Sequence, residues 1–287
     1  MKQLIESVSD TARWVAIYRA EESERRDALF RDPYARELGG PKGEAIAKSV
    51  LGGKRAGWAV AIRTHVIDEY LRRLIAEGSI DMVVNLAAGL DTRPFRMDLP
   101  STFTWVEADL PEINAYKTTK MQFKVPRCQL ERIDADLSQA WARTQLFDHL
   151  RAKYKGKSAV VLTEGLLMYL TEVQVLALTE GLNGWEQARY WVQDYLSPRM
   201  KEQLNKRIGA ELSRGRVPFH FSPERGSHYF APYGWTTMEA RSIFLEGIRL
   251  KRFQPCRTVM KFLYDLAPPK MQDSFRQMMG VSLLRRT

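Results

Sequence analysis

Four acids stand where runs of apolar residues give out: Glu107 and Asp109 in "TFTWVEADL", Asp136 in "CQLERIDADL" and Glu164 in "SAVVLTEG". Each run reads as a strand. A carboxylate just past such a strand can accept hydrogen bonds from both hydroxyls of a ribose. Glu107 and Asp109 are two residues apart, so an extended chain turns both to the same side. They also follow Gly89 by about 20 residues, the spacing of the ribose-binding acid in a dinucleotide fold. Asp109 equally suits a helix N-cap, because "LPEINAYK" follows with Pro111. Asp136 has the same second reading before "LSQAW". Together with Leu137 it could hold an adenine: the acid accepts from the exocyclic amine and the adjacent backbone N–H meets a ring nitrogen.

The stretch "MVVNLAAGLDTRPFRM", residues 82–97, carries the loop that such a ligand would approach. A loop that cradles a pyrophosphate uses several glycines, which let the backbone come close to phosphate. Here Ala87 and Ala88 stand where glycines are expected, and Gly89 alone remains. That depletion weighs against a pyrophosphate and against NAD. It suits a cofactor whose tail is an amino acid, and S-adenosyl-L-methionine is one: adenine, ribose, sulfonium and an amino-acid end. The tail's carboxylate calls for an arginine, whose fork pairs with it bidentately. Arg63 and Arg19 are the candidates, and each also suits a solvated helix face. Chemistry alone leaves Arg93 open, as a buttress of the loop or as a contact to the cofactor.

The elements that must position these residues alternate. Residues 9–29 and 56–77 have helical apolar spacing. Between them a short helix opens near Pro33 and stops at Gly39-Gly40. Strands are expected within 80–87, 102–110, 128–137 and 158–170, with helices in "PEINAYKTTKMQF" and "LSQAWARTQLFDHLRAKY". Then come "TEVQVLALTEGLN" as a helix, "ARYWVQDYL" as a strand, "TMEARSIFLEGIR" as a helix and "RTVMKFLYDL" as a last strand. Alternation of this kind predicts a parallel sheet covered on both faces. Ligands of such sheets sit beyond the C-terminal ends of the strands, where the four acids are. The segment 197–235 breaks the alternation and is rich in aromatic and basic residues. It reads as a cap over the strand ends, or as a solvated helix and loop. The whole is expected to be one domain, 1–287: N-terminal helices 1–79, a cofactor core 80–196, the cap insertion 197–235, and a C-terminal helix and strands 236–287.

Taken together, "VVNLAAGLDTRPFRM", "WVEADLPEINAYK", "DADL" and "TEGLLMYLTEVQV" resemble the leucine carboxyl methyltransferase family, also called the PPM methyltransferases. "SVSDTARWVAIYRAEESERRDALFRDPYAREL" looks like the N-terminal region of its bacterial branch, which acts on small molecules. The order and spacing match over residues 7–195, and more loosely through "YFAPYGW" to the C-terminus. The resemblance implies an α/β fold of the class I methyltransferase type: a Rossmann-like, doubly wound, mostly parallel seven-stranded sheet. It also implies S-adenosyl-L-methionine as cofactor and methylation of an oxygen. Carried onto this sequence, it sets Gly89 against the cofactor's amino-acid end and Asp109, with Glu107 beside it, on the ribose. It sets Asp136 and Leu137 beside the adenine, Arg63 on the carboxylate, Arg19 in the place of a second basic residue, and Glu164 near the ammonium. Tyr169 in "MYL" borders the substrate. Ala87 departs from the family, which usually has glycine there.

Methyl transfer from a sulfonium is an in-line displacement in which proximity and orientation supply much of the rate. A carboxylate acceptor, with a pKa of about 4, is ionised at pH 7 and needs no base. A phenol, with a pKa of about 10, benefits from one. Of the four histidines, His65 and His149 lie in helical patterns. His220 and His228 lie in the aromatic insertion, and with Tyr169 they are the substrate-side candidates. Phe219, Phe221, Tyr229, Phe230, Tyr233 and Trp235 could wall a flat acceptor, or pack the cap. Arg214, Arg216 and Arg225 could meet an acidic one. The expectation is an O-methyltransferase acting on a carboxylate or aromatic hydroxyl of a small molecule, such as a polyketide-type secondary metabolite. The alternatives are esterification of a protein C-terminus, as by the family's eukaryotic namesakes, and a protein that binds the cofactor without catalysis.

Bulk composition agrees with an enzyme core. The 287 residues are 45% hydrophobic and 27% charged, ordinary values for a globular domain. The net charge of +10 is scattered over mixed-sign segments with no recognised nucleic-acid module, so it suits an anionic ligand better than nucleic acid. No apolar run is long enough to span a membrane. The N-terminus lacks the pattern of a secretory signal. Two cysteines, Cys128 and Cys256, give neither a disulfide framework nor metal-ligand spacing, so no metal is expected and the cytoplasm is the simplest setting.

Overall fold

A computed structural model of the chain describes residues 8–49, 57–214, 218–253 and 257–287. Arg216 and Cys256 lie outside the described residues, as does the side chain of Arg214. Three helices lead: α1 (Val8–Ser23), α2 (Ala35–Ser49) and α3 (Gly57–Ala76). The sheet and its crossovers follow: β1 (Met82–Leu86), α4 (Arg93–Arg96), β2 (Thr104–Asp109), α5 (Pro111–Met121), β3 (Gln129–Asp134), α6 (Ala140–Lys153), β4 (Ala159–Thr163), α7 (Glu172–Asn183) and β5 (Ala188–Leu196). The C-terminal third holds α8 (Pro198–Arg214), β6 (Trp235–Ser242), α9 (Ile243–Arg249), α10 (Arg257–Leu266), α11 (Pro269–Gln277) and β7 (Met279–Arg286).

The seven strands form one sheet in the order β3-β2-β1-β4-β5-β7-β6. β1 to β5 run parallel, and β7 lies antiparallel between β5 and β6. β1 and β4 are buried along their whole length, because helices cover both faces. Alternation then divides their side chains between two cores. Met82, Val84, Leu86 and Val161 pack with α6 and α7 on one face, and Val83, Val160 and Leu162 pack with α3 on the other. The order reverses at β1, between β2 and β4, so the loops after these strands open one crevice at the switch point.

The structure departs from the sequence expectations at four elements. The helix expected over 9–29 ends at Ser23. Past that point the chain turns back, and the Glu22 carboxylate accepts from Leu29 N–H while Ser23 Oγ accepts from Asp32 N–H. Gly39-Gly40 does not stop a helix: α2 kinks at Gly40 (φ 61°) and resumes at Pro41. Gly39 is needed for contact instead, since a Cβ there would stand 2.5 Å from Ile17 Cδ1 of α1. The segment 237–249, expected to be helical, begins as strand, its exposure alternating residue by residue through β6 before α9 starts at Ile243. The segment 257–266, expected as the last strand, is helix α10. Phe262, Leu263 and Leu266 recur there at helical spacing, and the final strand is "MGVSLLRR" of β7.

Candidate active site

The C-terminal ends of the central strands surround a cavity of about 470 Å³, of the size that takes a cofactor-sized ligand. Its floor is the β1 loop (Asn85 and Ala87–Asp91), Asp109 at the end of β2, 135–138 after β3, and Glu164 and Gly165 after β4. Asp194 at the end of β5 completes one wall, and α1 and α3 close over the top with Thr11, Ala12, Arg19 and Arg63. Trp14, Val60, Met168, Tyr169, Leu204 and Phe219 line one end, which is largely apolar.

The β1 loop is built by two left-handed residues. Ala87 has φ 56° and Gly89 has φ 51°. The turn folds the loop back onto β2, where Ala87 N–H donates to Ala108 O at 2.8 Å and Gly89 N–H donates to Asp109 Oδ2. Gly89 also lies against α1: a Cβ there would come within 3.2 Å of Ala12 Cβ. Asp109 Oδ1 accepts from Leu110 N–H at 2.7 Å. Burial pushes the Asp109 carboxyl up to about 6, against the opposing pull of those two N–H groups.

Below the loop lies a lattice of buried charge. Arg93 is 1% exposed and donates to Asp68 and Asp91, each at 2.6 Å, and to Glu164 Oε2 at 2.8 Å. Arg63 sits above the same acid, with Nε 3.0 Å from Glu164 Oε1 and Nη1 3.0 Å from Asp194 Oδ2. Burial opposes ionisation of Asp91 and Glu164, yet the arginines hold both carboxyls below their ordinary range. Burial holds the Asp194 carboxyl above that range despite Arg63. Asn85 Nδ2 donates to Asp91, and its Oδ1 is buried with no partner on the cavity wall. A buried acceptor in a cavity that the Glu164 and Asp194 carboxylates also line matches a cationic ammonium donor.

The cavity gathers most of the candidates: Arg19, Arg63, Ala87, Gly89, Asp109, Asp136, Leu137, Glu164 and Tyr169. Glu107 is not among its lining residues. It is fully buried between Lys117 Nζ at 2.7 Å and Arg132 Nε at 2.9 Å. Arg19 reaches the wall, but its guanidinium is held by Asp32 and by Leu90 O. Arg93 is a buttress, one layer below the cavity. Tyr169 is hydrogen-bonded to Thr11, and its ring lies 5.3 Å from that of Phe219.

The insertion is divided between the cavity, the core and the surface. Of its six aromatics only Phe219 lines the cavity. Phe221, Phe230 and Trp235 belong to the main core, where Trp191 packs on Phe230 and Trp235. His220 is exposed and lines a separate groove with Lys201, Arg225 and Tyr233. His228 is exposed on a 3₁₀ turn and lines neither space. Among the described residues no cluster of His, Cys, Asp or Glu is placed to hold a metal ion, and no helix is long and apolar enough to cross a membrane. Sequence reasoning missed Asp194 and Asn85. The signal for Asp194 was an acid near the end of the apolar run "ARYWVQDYL", as at Asp109.

Comparison with known proteins agrees with this architecture. A Frankia alni protein named as an S-adenosyl-L-methionine-dependent methyltransferase is 33% identical over 80% of this chain and 84% of its own. A Mycobacteroides abscessus protein with the same name is 35% identical over 57% of each chain. Among solved structures, a Thermobifida fusca protein described as a methyltransferase matches with TM-score 0.57 at 13% identity, covering 99% of this chain and 96% of its own. A DUF574 family protein from Streptomyces avermitilis matches with TM-score 0.55 at 11% identity, covering 96% and 97%. The sheet is that of the class I methyltransferases. The model of the leucine carboxyl methyltransferase family matches residues 12–183, and the chain belongs to that family.

Proposed function

We propose that the protein is an S-adenosyl-L-methionine-dependent O-methyltransferase acting on a small molecule, with the polyketide-type secondary metabolites as the class to examine first. The observation that carries this reading is the continuity of one cavity. It runs from the acids at the ends of β2 and β3, past Gly89 and Glu164, to the apolar end at Trp14, Met168 and Phe219. The first part suits a nucleoside with an amino-acid tail, and the second suits an acceptor with an apolar body. The relatives' names support the cofactor and the reaction class.

In this reading Asp109 holds the ribose hydroxyls, and Asp136 with Leu137 brackets the adenine. Gly89 allows the tail to approach the backbone. Arg63 takes the tail's carboxylate, while Glu164 and the partnerless Asn85 Oδ1 take its ammonium. Bound there, the cofactor supplies a methyl group on a sulfonium, which is already a good leaving group. The chain's own contribution is to hold the acceptor in line and to exclude water. Tyr169 and Phe219 border the acceptor oxygen. His220 and His228 are left out, because both are exposed and outside the cavity lining.

Incubating the purified protein with methyl-labelled S-adenosyl-L-methionine and a deproteinised small-molecule extract tests the reading. Label recovered in an organic-extractable product is the expected result. Label that appears only when intact protein is supplied as acceptor would transfer the reading to protein termini.

A further inference from the structure

Asp194 is 5% exposed at the end of β5, on the wall of the cavity. Its Oδ1 accepts from Gly165 N–H at 2.7 Å, and its Oδ2 accepts from Arg63 Nη1 at 3.0 Å. Arg63 is therefore shared between two acids, since its Nε holds Glu164. The two acids are not equally dependent on it. Glu164 has a second cation, Arg93, on its other oxygen at 2.8 Å. Among the described residues, Arg63 is the only cation paired with Asp194. A ligand carboxylate that pairs bidentately across the Nη1–Nη2 edge of Arg63 takes the nitrogen that Asp194 uses.

We propose that Asp194 yields Arg63 to the cofactor's carboxylate and then serves as the proton acceptor of the site, facing the acceptor. The proposal rests on the methyltransferase reading. The groups that face Asp194 are Arg63 from α3, and Gly165 N–H, Glu164 and Tyr169 from the segment after β4. Once Arg63 is engaged elsewhere, Asp194 keeps one N–H donor and has an acid beside it. A buried carboxylate in that state takes up a proton more readily. The consequence for the substrate is direct. A carboxylate acceptor has no proton to give at neutral pH and would meet the repulsion of Asp194 and Glu164. A hydroxyl acceptor gives its proton to Asp194 as the oxygen lone pair forms the C–O bond, and the electrons of the breaking C–S bond stay on sulfur. Asp194 ends neutral, and so does the sulfur.

Cofactor binding alone reads this out, without an acceptor. The full chain is titrated calorimetrically with S-adenosylhomocysteine at pH 7.5, in phosphate and in Tris buffer, whose ionisation enthalpies differ. The difference in heat counts protons taken up. At that pH Asp109 is ionised and does not contribute. Wild type is expected to take up a fraction of a proton. Asp194→Asn is expected to take up none, and to bind several-fold more tightly because Arg63 has lost an internal competitor. S-adenosylmethionine carries a positive sulfonium that favours the carboxylate, so wild type is expected to take up less with it than with S-adenosylhomocysteine. Equal uptake with both ligands, or an unchanged count in Asp194→Asn, overturns the proposal. No binding of either ligand to wild type overturns the methyltransferase reading itself.

Discussion

The backbone N–H of Gly89 donates to Oδ2 of Asp109, tying the loop after β1 to the end of β2. This bond fixes the crevice in which the ribose is proposed to sit, and it keeps a buried acid aimed at it. The acid is costly to keep, because burial raises its carboxyl from 3.8 to about 6. The folded protein therefore binds a proton that the unfolded chain does not between about pH 4 and pH 6, and folding stability falls as pH rises through that window. Asp109→Asn escapes that cost but has one acceptor for the two N–H donors, so its stability relative to wild type is expected to rise by up to about 2–3 kcal/mol between about pH 4 and pH 7. Urea denaturation of both proteins across pH 3.5–7.5 measures it.

Arg93 organises the layer beneath. Removing it strands Asp91 in the interior, and leaves Glu164 with Arg63 and Asp68 with Arg96. Arg93→Met is expected to cost about 3–5 kcal/mol at neutral pH. The folded-state carboxyls of Asp91 and Glu164 lie below their ordinary range, so their contribution is present at neutral pH and lost as pH falls. The penalty of the variant should shrink towards acid. In the variant burial pushes the unpaired Asp91 carboxyl up and it takes on a proton as pH falls, so a penalty that stays constant down to pH 4 would mean the lattice is not electrostatic.

Ala87 holds φ 56°, a conformation that costs a non-glycine residue about 1–2 kcal/mol. Glycine removes that cost and adds back part of it as unfolded-chain entropy. Ala87→Gly is expected to raise stability by about 0.5–1 kcal/mol. A loss of stability in thermal denaturation would show that the alanine methyl makes contacts worth more than the strain.

Gly280 of β7 lies under the ring of Tyr195, a cavity residue. A Cβ there would stand 2.5 Å from Tyr195 Oη and 2.8 Å from Arg241 O. The tyrosine can swing aside and the carbonyl cannot. Gly280→Ala is expected to cost about 1–3 kcal/mol in urea unfolding.

The sheet was legible because strands and crossover helices alternate with clear apolar runs, and because each acid marks a strand end. What failed did so for identifiable reasons. Gly39 and Gly40 look like a helix stop, but α1 packs so closely on α2 that Gly39 is needed for contact. The segment 257–266 mixes β-branched and aromatic residues with helical spacing, and spacing won. Glu107 has the right parity to share the site with Asp109, but Lys117 and Arg132, which claim it, come from α5 and β3. The histidines of the insertion could not be placed from sequence, because that depends on which aromatics turn inward, and Phe221 and Phe230 do so on the core side. Asp194 was hidden because its importance comes from Arg63, 131 residues away.

The proposed function rests on the cavity binding the nucleoside end of S-adenosyl-L-methionine through Asp109. Its most direct test is a calorimetric titration of wild type and Asp109→Ala with S-adenosylhomocysteine at pH 7.5. One site per chain is expected in wild type, and an affinity loss of about 1–3 kcal/mol in the variant, roughly 5- to 150-fold. Wild-type affinity in Asp109→Ala would contradict it.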